Sequence, residues 1–316
     1  MTHRWTAPVA LEDALAALAA DAEARPVAGG TDLVVAARQG RRSLPDSLVA
    51  IDRIAELAGQ GLDDDGALVL GALTSHAWLA SADQVRRGWT ALADAAAIVG
   101  SPATRGTGTL GGNLMNASPA AETVGLLIVA GAVATLRSRA GFREIAVAEL
   151  ATGPGHTSAR AGELLTAVRV PALPAASGSA YVRLEYRGAM EIAVVGATAV
   201  VVLDGSTQGA GTVAGNGAGS IREARIALTA VAPTIVRAPV AEALLVGRPP
   251  DGAGFRAAGE AAAQSASPID DVRASAGYRE AMIRVVVARA LAAAARRAAG
   301  EPIPIPASRW AHGQQV

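Results

Sequence analysis

Cysteine is absent from this 316-residue chain. That excludes disulfides and any thiolate-ligated iron–sulfur cluster carried by the chain itself. Aromatic residues are scarce: four Trp, three Tyr and two Phe, 3% of the sequence. Hydrophobic residues still make up 51%, so a large core must be filled mostly by Ala, Val and Leu, with close backbone approach at many of the 35 glycines. Charge of one sign is also lacking. Lys plus Arg total 28 and Asp plus Glu total 28, giving no net charge. A surface that neutralises many phosphates carries a basic excess, so nucleic acid is not expected as a partner. No apolar run is long enough for a bilayer span of about 20 residues; those at 124–136 and 192–203 fall short. The opening stretch MTHRWTAPVALEDALAALAADAEARP lacks a basic region followed by a continuous apolar core. A soluble, cytoplasmic protein is the expectation. Four scattered histidines without nearby carboxylate spacing imply no metal site.

The length exceeds the usual single-domain size, so two packed domains are expected. Residues 10–24 read as a helix, with Leu11, Leu15 and Leu18 on one face and Pro26 as the stop. TDLVVAARQG resumes a helical pattern, SLVAID (47–52) and 67–73 read as strands, and 92–99 as a small-residue helix. Residues 101–123, rich in Gly, Thr, Asn, Ser and Pro, read as a long loop of the kind that is functional or disordered. PALPAASGS (171–179) has little to bury and marks a domain boundary. Beyond it, 192–203 and 221–231 read as strands of one sheet separated by a glycine-rich loop at 205–219. Residues 239–246, 255–265 and 275–299 read as helices, the last long and ended before EPIPIPAS.

Two glycine segments stand out: Val27-Ala28-Gly29-Gly30-Thr31-Asp32-Leu33 and Thr109-Leu110-Gly111-Gly112-Asn113-Leu114. In each, paired glycines precede a short polar side chain. Without Cβ obstruction, successive backbone amides can approach an anion, and two such loops can hold the two phosphates of a pyrophosphate. Thr31, Thr109, Asn113 and Ser118 add hydroxyl or amide contacts. Two tight turns are the alternative. Gly106-Thr-Gly108-Thr-Leu-Gly111 also matches the dinucleotide fingerprint G-x-G-x-x-G. That fingerprint needs a preceding strand, a following helix and an acid about twenty residues on. Here a helical pattern precedes it, 113–119 is not helix-like, and 124–142 holds no acid, so the Rossmann reading is set aside.

AGGTDL (28–33), TRGTGTLGGNLMNASPAAE (104–122), ELLTAVRVP (163–171) and EYRGAMEIAVV (185–195) occur in this order. RIALTAVAPTIVRA (225–238) and DVRASAGYREAMIRVVVARAL (271–291) follow. Together they resemble the medium, flavoprotein subunit of the xanthine dehydrogenase and carbon monoxide dehydrogenase family of molybdenum hydroxylases. The resemblance runs almost end to end. It implies an α+β chain: a two-lobed FAD-binding domain of the vanillyl-alcohol-oxidase (PCMH) type over 1–175, a smaller α+β domain with an antiparallel sheet and helices over 179–300, and a tail at 301–316. FAD is the implied cofactor. Val27, Ala28, Gly29, Gly30, Thr31, Asp32 and Leu33 would wrap its pyrophosphate, joined by Thr109, Gly111, Gly112 and Asn113. Ser118 and Glu122 sit where the family makes further polar contacts, Glu122 replacing the more usual Asp, and Leu165 where an apolar residue packs near the flavin or adenine. Val194 stands where the eukaryotic xanthine enzymes have lysine, so one of their flavin-side contacts is absent, which weakens any carry-over of their NAD chemistry. Implied partners are a molybdopterin-binding large subunit and an iron–sulfur small subunit, in a dimer of heterotrimers. The chain would need no catalytic acid, base or nucleophile of its own. The alternative is a stand-alone FAD-dependent oxidase of the same superfamily.

The remaining polar residues carry plainer readings. His76, in GALTSHAWL, is a flavin-pocket candidate; His3 and His156 read as surface residues. Tyr181 and Tyr186 read as core or interface residues before flavin contacts. Asp63-Asp64-Asp65 reads as a solvated turn, Arg41-Arg42 and Arg296-Arg297 as solvated faces, and Asp270-Asp271 as acids suited to the N-terminus of the following helix.

Overall fold

The computed structural model describes residues 3–204 and 219–313; the glycine-rich loop expected at 205–219 lies almost wholly outside the described residues. The chain opens with β1 (Arg4–Thr6), α1 (Leu11–Ala20), β2 (Arg25–Val27), α2 (Leu33–Arg38), β3 (Ser47–Ala50), β4 (Gln60–Leu62) and β5 (Leu68–Gly71). Six helices follow: α3 (His76–Ser81), α4 (Asp83–Gly88), α5 (Thr90–Ile98), α6 (Pro102–Thr107), α7 (Leu110–Met115) and α8 (Val124–Val129). Then come β6 (Val133–Ser138), β7 (Gly141–Ala146), α9 (Val147–Leu150), β8 (Ala151–Gly153), β9 (His156–Thr157) and β10 (Leu164–Val170). The last stretch holds β11 (Ser177–Leu184), β12 (Val195–Leu203), β13 (Ile221–Thr229), β14 (Val236–Arg237), α10 (Pro239–Ala243), α11 (Gly252–Ala262), α12 (Ala276–Ala298) and α13 (Ala307–Ala311). No helix among the described residues is long and apolar enough to cross a membrane.

These elements gather into two units: Met1–Leu79 with Ser101–Ser118 and Gly131–Ala172, and Ala80–Gly100 with Pro119–Ala130 and Leu173–Val316. The first unit holds two lobes. One is a parallel sheet in the order β1-β3-β2; the other is an antiparallel sheet in the order β4-β5-β10-β6-β7. Leu11, Ala14, Leu15 and Leu18 of α1 pack with Val49, Ile51, Ile54, Leu57 and Leu164. The helix ends at Ala20, one turn short of the expected end. Asp21 is extended, and its carboxylate accepts from the Glu23 amide at 3.0 Å.

The expected long loop at 101–123 instead carries α6 and α7, and the reason lies in their caps. Ser101 Oγ accepts from Thr104 N at 3.1 Å with Pro102 in the first turn, and Thr109 Oγ1 accepts from Gly112 N at 3.0 Å. Capped helices this short show no apolar periodicity, so their signal is the cap residue alone. The expected solvated turn at 63–65 is also tied into the sheet. Asp63 accepts from the amides of Asp65 and Ala67, and Arg169 on β10 bonds both Asp63 (2.6 Å) and Asp65 (2.9 Å).

The second unit is built on the antiparallel order β11-β12-β13-β14. Ala180, Val182, Ala197, Ala199, Val201, Ile226 and Leu228 join a core with α11 and α12. Ser275 Oγ caps α12 by accepting from Tyr278 N at 3.2 Å, and Arg296 and Arg297 fall in the last turn, where cations suit the helix dipole. Asp270 accepts from the amide of Ala276, the first residue of α12, at 2.5 Å, whereas Asp271 is taken up by Arg273 and Arg279 and by the amides of Arg273 and Ala274. Gly178 is required by close approach: a Cβ there would lie 2.2 Å from the Ala294 carbonyl oxygen.

Candidate functional site

The fold brings the two glycine segments of the first unit against each other. Residues 28–32 bridge β2 and α2, while Gly108 and Thr109 link α6 to α7. A Cβ on Gly29 would stand 1.9 Å from the Thr107 carbonyl oxygen, so only glycine permits the approach. A Cβ on Gly108 would meet Thr31 Oγ1 at 3.4 Å and the His76 ring at 3.3 Å. Gly111 is pressed onto β5's exit, where a Cβ would meet the Ala72 oxygen at 2.7 Å.

The segments differ in what they leave free. Gly111 N donates to Ala72 O (2.9 Å), Gly112 N to Thr109 Oγ1 (3.0 Å) and Asn113 N to Thr109 O (2.9 Å), so α7 and its cap use these amides internally. Among the described residues, the amides of Gly29, Gly30 and Thr31 donate to no protein acceptor. Gly30 has φ +64°, which turns the chain at this point. Consecutive unpaired amides at a left-handed residue form a concave cradle for an anion. The remaining residues are arranged around it. Val27 is buried and Leu33 half-buried, both packed with Leu48 and Ala50. Asp32 is exposed, Asn113 and Ser118 are half-buried, and Leu165 is buried in β10 beside a register shift in its pairing with β6. The G-x-G-x-x-G match begins inside α6 rather than after a strand, which removes the Rossmann geometry.

Glu122 lies in the second unit and has a partner of its own. Its carboxylate is held by Arg183 Nη1, and Arg183 Nε donates to Glu185 at 2.6 Å. The guanidinium is fully buried and Glu122 is 6% exposed. A cofactor hydroxyl would therefore have to compete with a buried arginine for this carboxylate. Burial pushes the Glu122 carboxyl up to about 7 against the pull of Arg183, and Glu185 pushes the same way. A carboxyl whose pKa is raised on folding contributes stability that is complete below its unfolded value of 4.5 and is lost as pH rises to about 7. Between those limits the stability of the second unit is expected to fall as pH rises. Glu122→Gln is expected to flatten that slope in thermal melts at pH 5, 6 and 7. Parallel curves for the two proteins would show Glu122 ionised throughout.

Tyr181 is fully buried with its ring against Gly196, and Tyr186 is exposed with its hydroxyl donating to Arg273 O. Val194 is buried, its amide bonded to Leu184 O at 2.9 Å. His156 is exposed on β9, and His3 Nδ1 lies 3.1 Å from Pro45 O. Arg297, expected on a solvated face, is buried against Asp94. Two contributors to the glycine cluster went unassigned in the sequence: Thr107, through its carbonyl, and Thr74, whose buried hydroxyl has no partner. Neither has a local sequence signal, because each acts through a contact distant in the chain.

The family described as the FAD binding domain in molybdopterin dehydrogenase matches residues 1–173, and the CO dehydrogenase flavoprotein C-terminal domain matches residues 179–294. The 6-hydroxypseudooxynicotine dehydrogenase complex subunit alpha of Paenarthrobacter nicotinovorans is 34% identical over 87% of this chain and 88% of its own length. The carbon monoxide dehydrogenase medium chain of Afipia carboxidovorans is 32% identical over 92% and 96%. A solved carbon monoxide dehydrogenase from Hydrogenophaga pseudoflava superposes with a TM-score of 0.84 at 31% identity, covering 94% of this chain and 98% of its counterpart. With both halves matched and the glycine segments joined in the fold, the chain belongs to the FAD-binding flavoprotein subunits of the xanthine dehydrogenase and carbon monoxide dehydrogenase family of molybdenum hydroxylases.

Proposed function

We propose that this chain holds one non-covalent FAD through Val27–Leu33, Thr109, Gly111, Gly112 and Asn113, with Ser118 and Leu165 completing the contacts. In the same reading it receives electrons from an iron–sulfur small subunit and passes them to an external acceptor. A molybdopterin-binding large subunit completes the assembly, a cytoplasmic dimer of heterotrimers. The observation that carries this is the junction of Gly29 with Thr107, which sets three unpaired amides beside the second glycine segment. Bound there, FAD supplies the two-electron redox chemistry, and the chain supplies binding and orientation. The amides of Gly29, Gly30 and Thr31 would donate hydrogen bonds to its phosphate oxygens, and the glycines keep side chains out of the way. Glu122, already engaged by Arg183, is left out of the direct contacts. With no cysteine in the chain, iron–sulfur clusters have to reside in a partner, and a thioether link to flavin is impossible.

The purified chain is expected to be yellow and to release a stoichiometric amount of FAD on denaturation. Alone it should not turn over aldehydes or N-heterocycles; turnover should appear only with the two other subunits. A colourless but folded protein would overturn the assignment. Steady turnover by the isolated chain would favour a stand-alone oxidase.

A further inference from the structure

Thr74-Ser75-His76 runs along the second glycine segment. Thr74 O accepts from Leu110 N at 2.8 Å, His76 N donates to Gly108 O at 3.2 Å, and Ser75 pairs with Thr109. The Cδ2 edge of the His76 ring faces Gly108, where a Cβ would meet both that edge at 3.3 Å and Thr31 Oγ1 at 3.4 Å, so the ring lies at the junction of the two glycine segments. His76 is only 3% exposed. Its Nδ1 is sealed from solvent and bonds nothing in the protein, and the same is true of Thr74 Oγ1. Burial, assisted by the Arg105 charge, lowers the ring's pKa to about 4. A neutral imidazole carries one N–H. A buried donor without an acceptor is rarer than a buried acceptor without a donor, which favours the proton on Nε2, next to Cδ2 on the glycine-facing edge.

We propose that His76 is a hydrogen-bonding residue of the dinucleotide site, its Nε2–H donating to a phosphate oxygen of the FAD held by the two glycine segments. The proposal rests on the flavin reading above. The competing role is space-filling against Gly108, and two substitutions of similar shape separate them. His76→Gln keeps a donor near the Nε2 position, whereas His76→Met fills space without one. In fluorescence titrations of apo-protein, His76→Met should weaken FAD binding about tenfold while His76→Gln stays within about threefold of wild type. Equal affinity for the two variants would overturn the proposal. A measurement without variants guards against misfolding: in protein labelled with 15N-histidine, the His76 Nε2–H should shift on adding FAD, and an unmoved resonance counts against it. If wild type binds no FAD, the flavin reading falls and takes this proposal with it. If wild type binds and Met equals Gln, only the role of His76 falls.

Discussion

Gly29→Val is expected to abolish FAD binding, with affinity reduced by at least about a hundredfold, while the second unit melts as in wild type. A Cβ at this position would stand 1.9 Å from the Thr107 carbonyl oxygen and 2.7 Å from its carbon. Both are backbone atoms, so no rotamer change relieves the overlap. Either the 28–32 turn or the end of α6 has to move by about an ångström, and misplacement on that scale costs on the order of a hundredfold in a positioned site. A graded series isolates the cause. Gly30→Ala meets nothing closer than Val34 Cγ2 at 3.4 Å but must hold φ +64°, a strain of roughly 1–3 kcal/mol, so a milder loss is expected. Gly106→Ala meets nothing within 4 Å and lies inside α6, where alanine is favoured by roughly 0.5–1 kcal/mol; binding should be unchanged. Asp64→Ala, exposed at the β4–β5 turn, is the distant control. Flavin titration of the apo-variants reads the order. If Gly29→Val binds FAD like wild type, the glycine segments are turns and the contact set falls.

That series also marks how far the site was legible beforehand. The two glycine segments and their short polar neighbours were visible as chemistry, and their recurrence together suggested one ligand. The sequence did not reveal that the glycines serve in different ways. Gly29 admits the Thr107 carbonyl, Gly30 supplies a left-handed turn, and Gly111 rests on Ala72. A Gly-Gly pair looks the same in all three cases, because the deciding contact comes from a segment tens of residues away. Helices α6 and α7 were missed for a related reason. Six-residue helices cannot show an amphipathic period, and Ser101-Pro102 and Thr109 were the only local marks.

In the second unit, the apolar runs of β12 and β13 and the capped, alanine-rich α12 were legible because burial and periodicity are local properties. Strand β11 was partly hidden, since Ser177-Gly178-Ser179 has the composition of a linker while serving as a strand under α12. Charged residues misled most. Arg297, expected on a solvated face, is buried against Asp94, and Arg183 is fully buried with Glu122 and Glu185. A buried ion pair is invisible until the fold supplies the partner.

Asp94→Ala is the test of that point with the largest expected cost in stability. Asp94 lies within α5 with no exposure, and Arg297, 203 residues later on α12, bonds both of its oxygens at 2.6 and 3.0 Å. The same carboxylate accepts from Tyr181 N on β11 at 3.1 Å and from Ala307 N at the start of α13 at 2.9 Å. Arg297 also donates to the carbonyls of Ser179, Ile303 and Pro304. One side chain therefore ties two helices, a strand and the segment leading into α13. Removing it leaves a guanidinium with 7% exposure and no counter-charge, together with two amides without acceptors. Breaking a buried pair from one side costs about 3–5 kcal/mol, so the melting temperature of the second unit should fall by roughly 10 °C. Arg297→Ala should cost a similar amount. The double variant should cost less than the sum, with a coupling energy of about 2–3 kcal/mol, because the second substitution removes the stranded charge. Additive losses would show that the two side chains act independently, and an unshifted melt for Asp94→Ala would show that the carboxylate does not hold this junction.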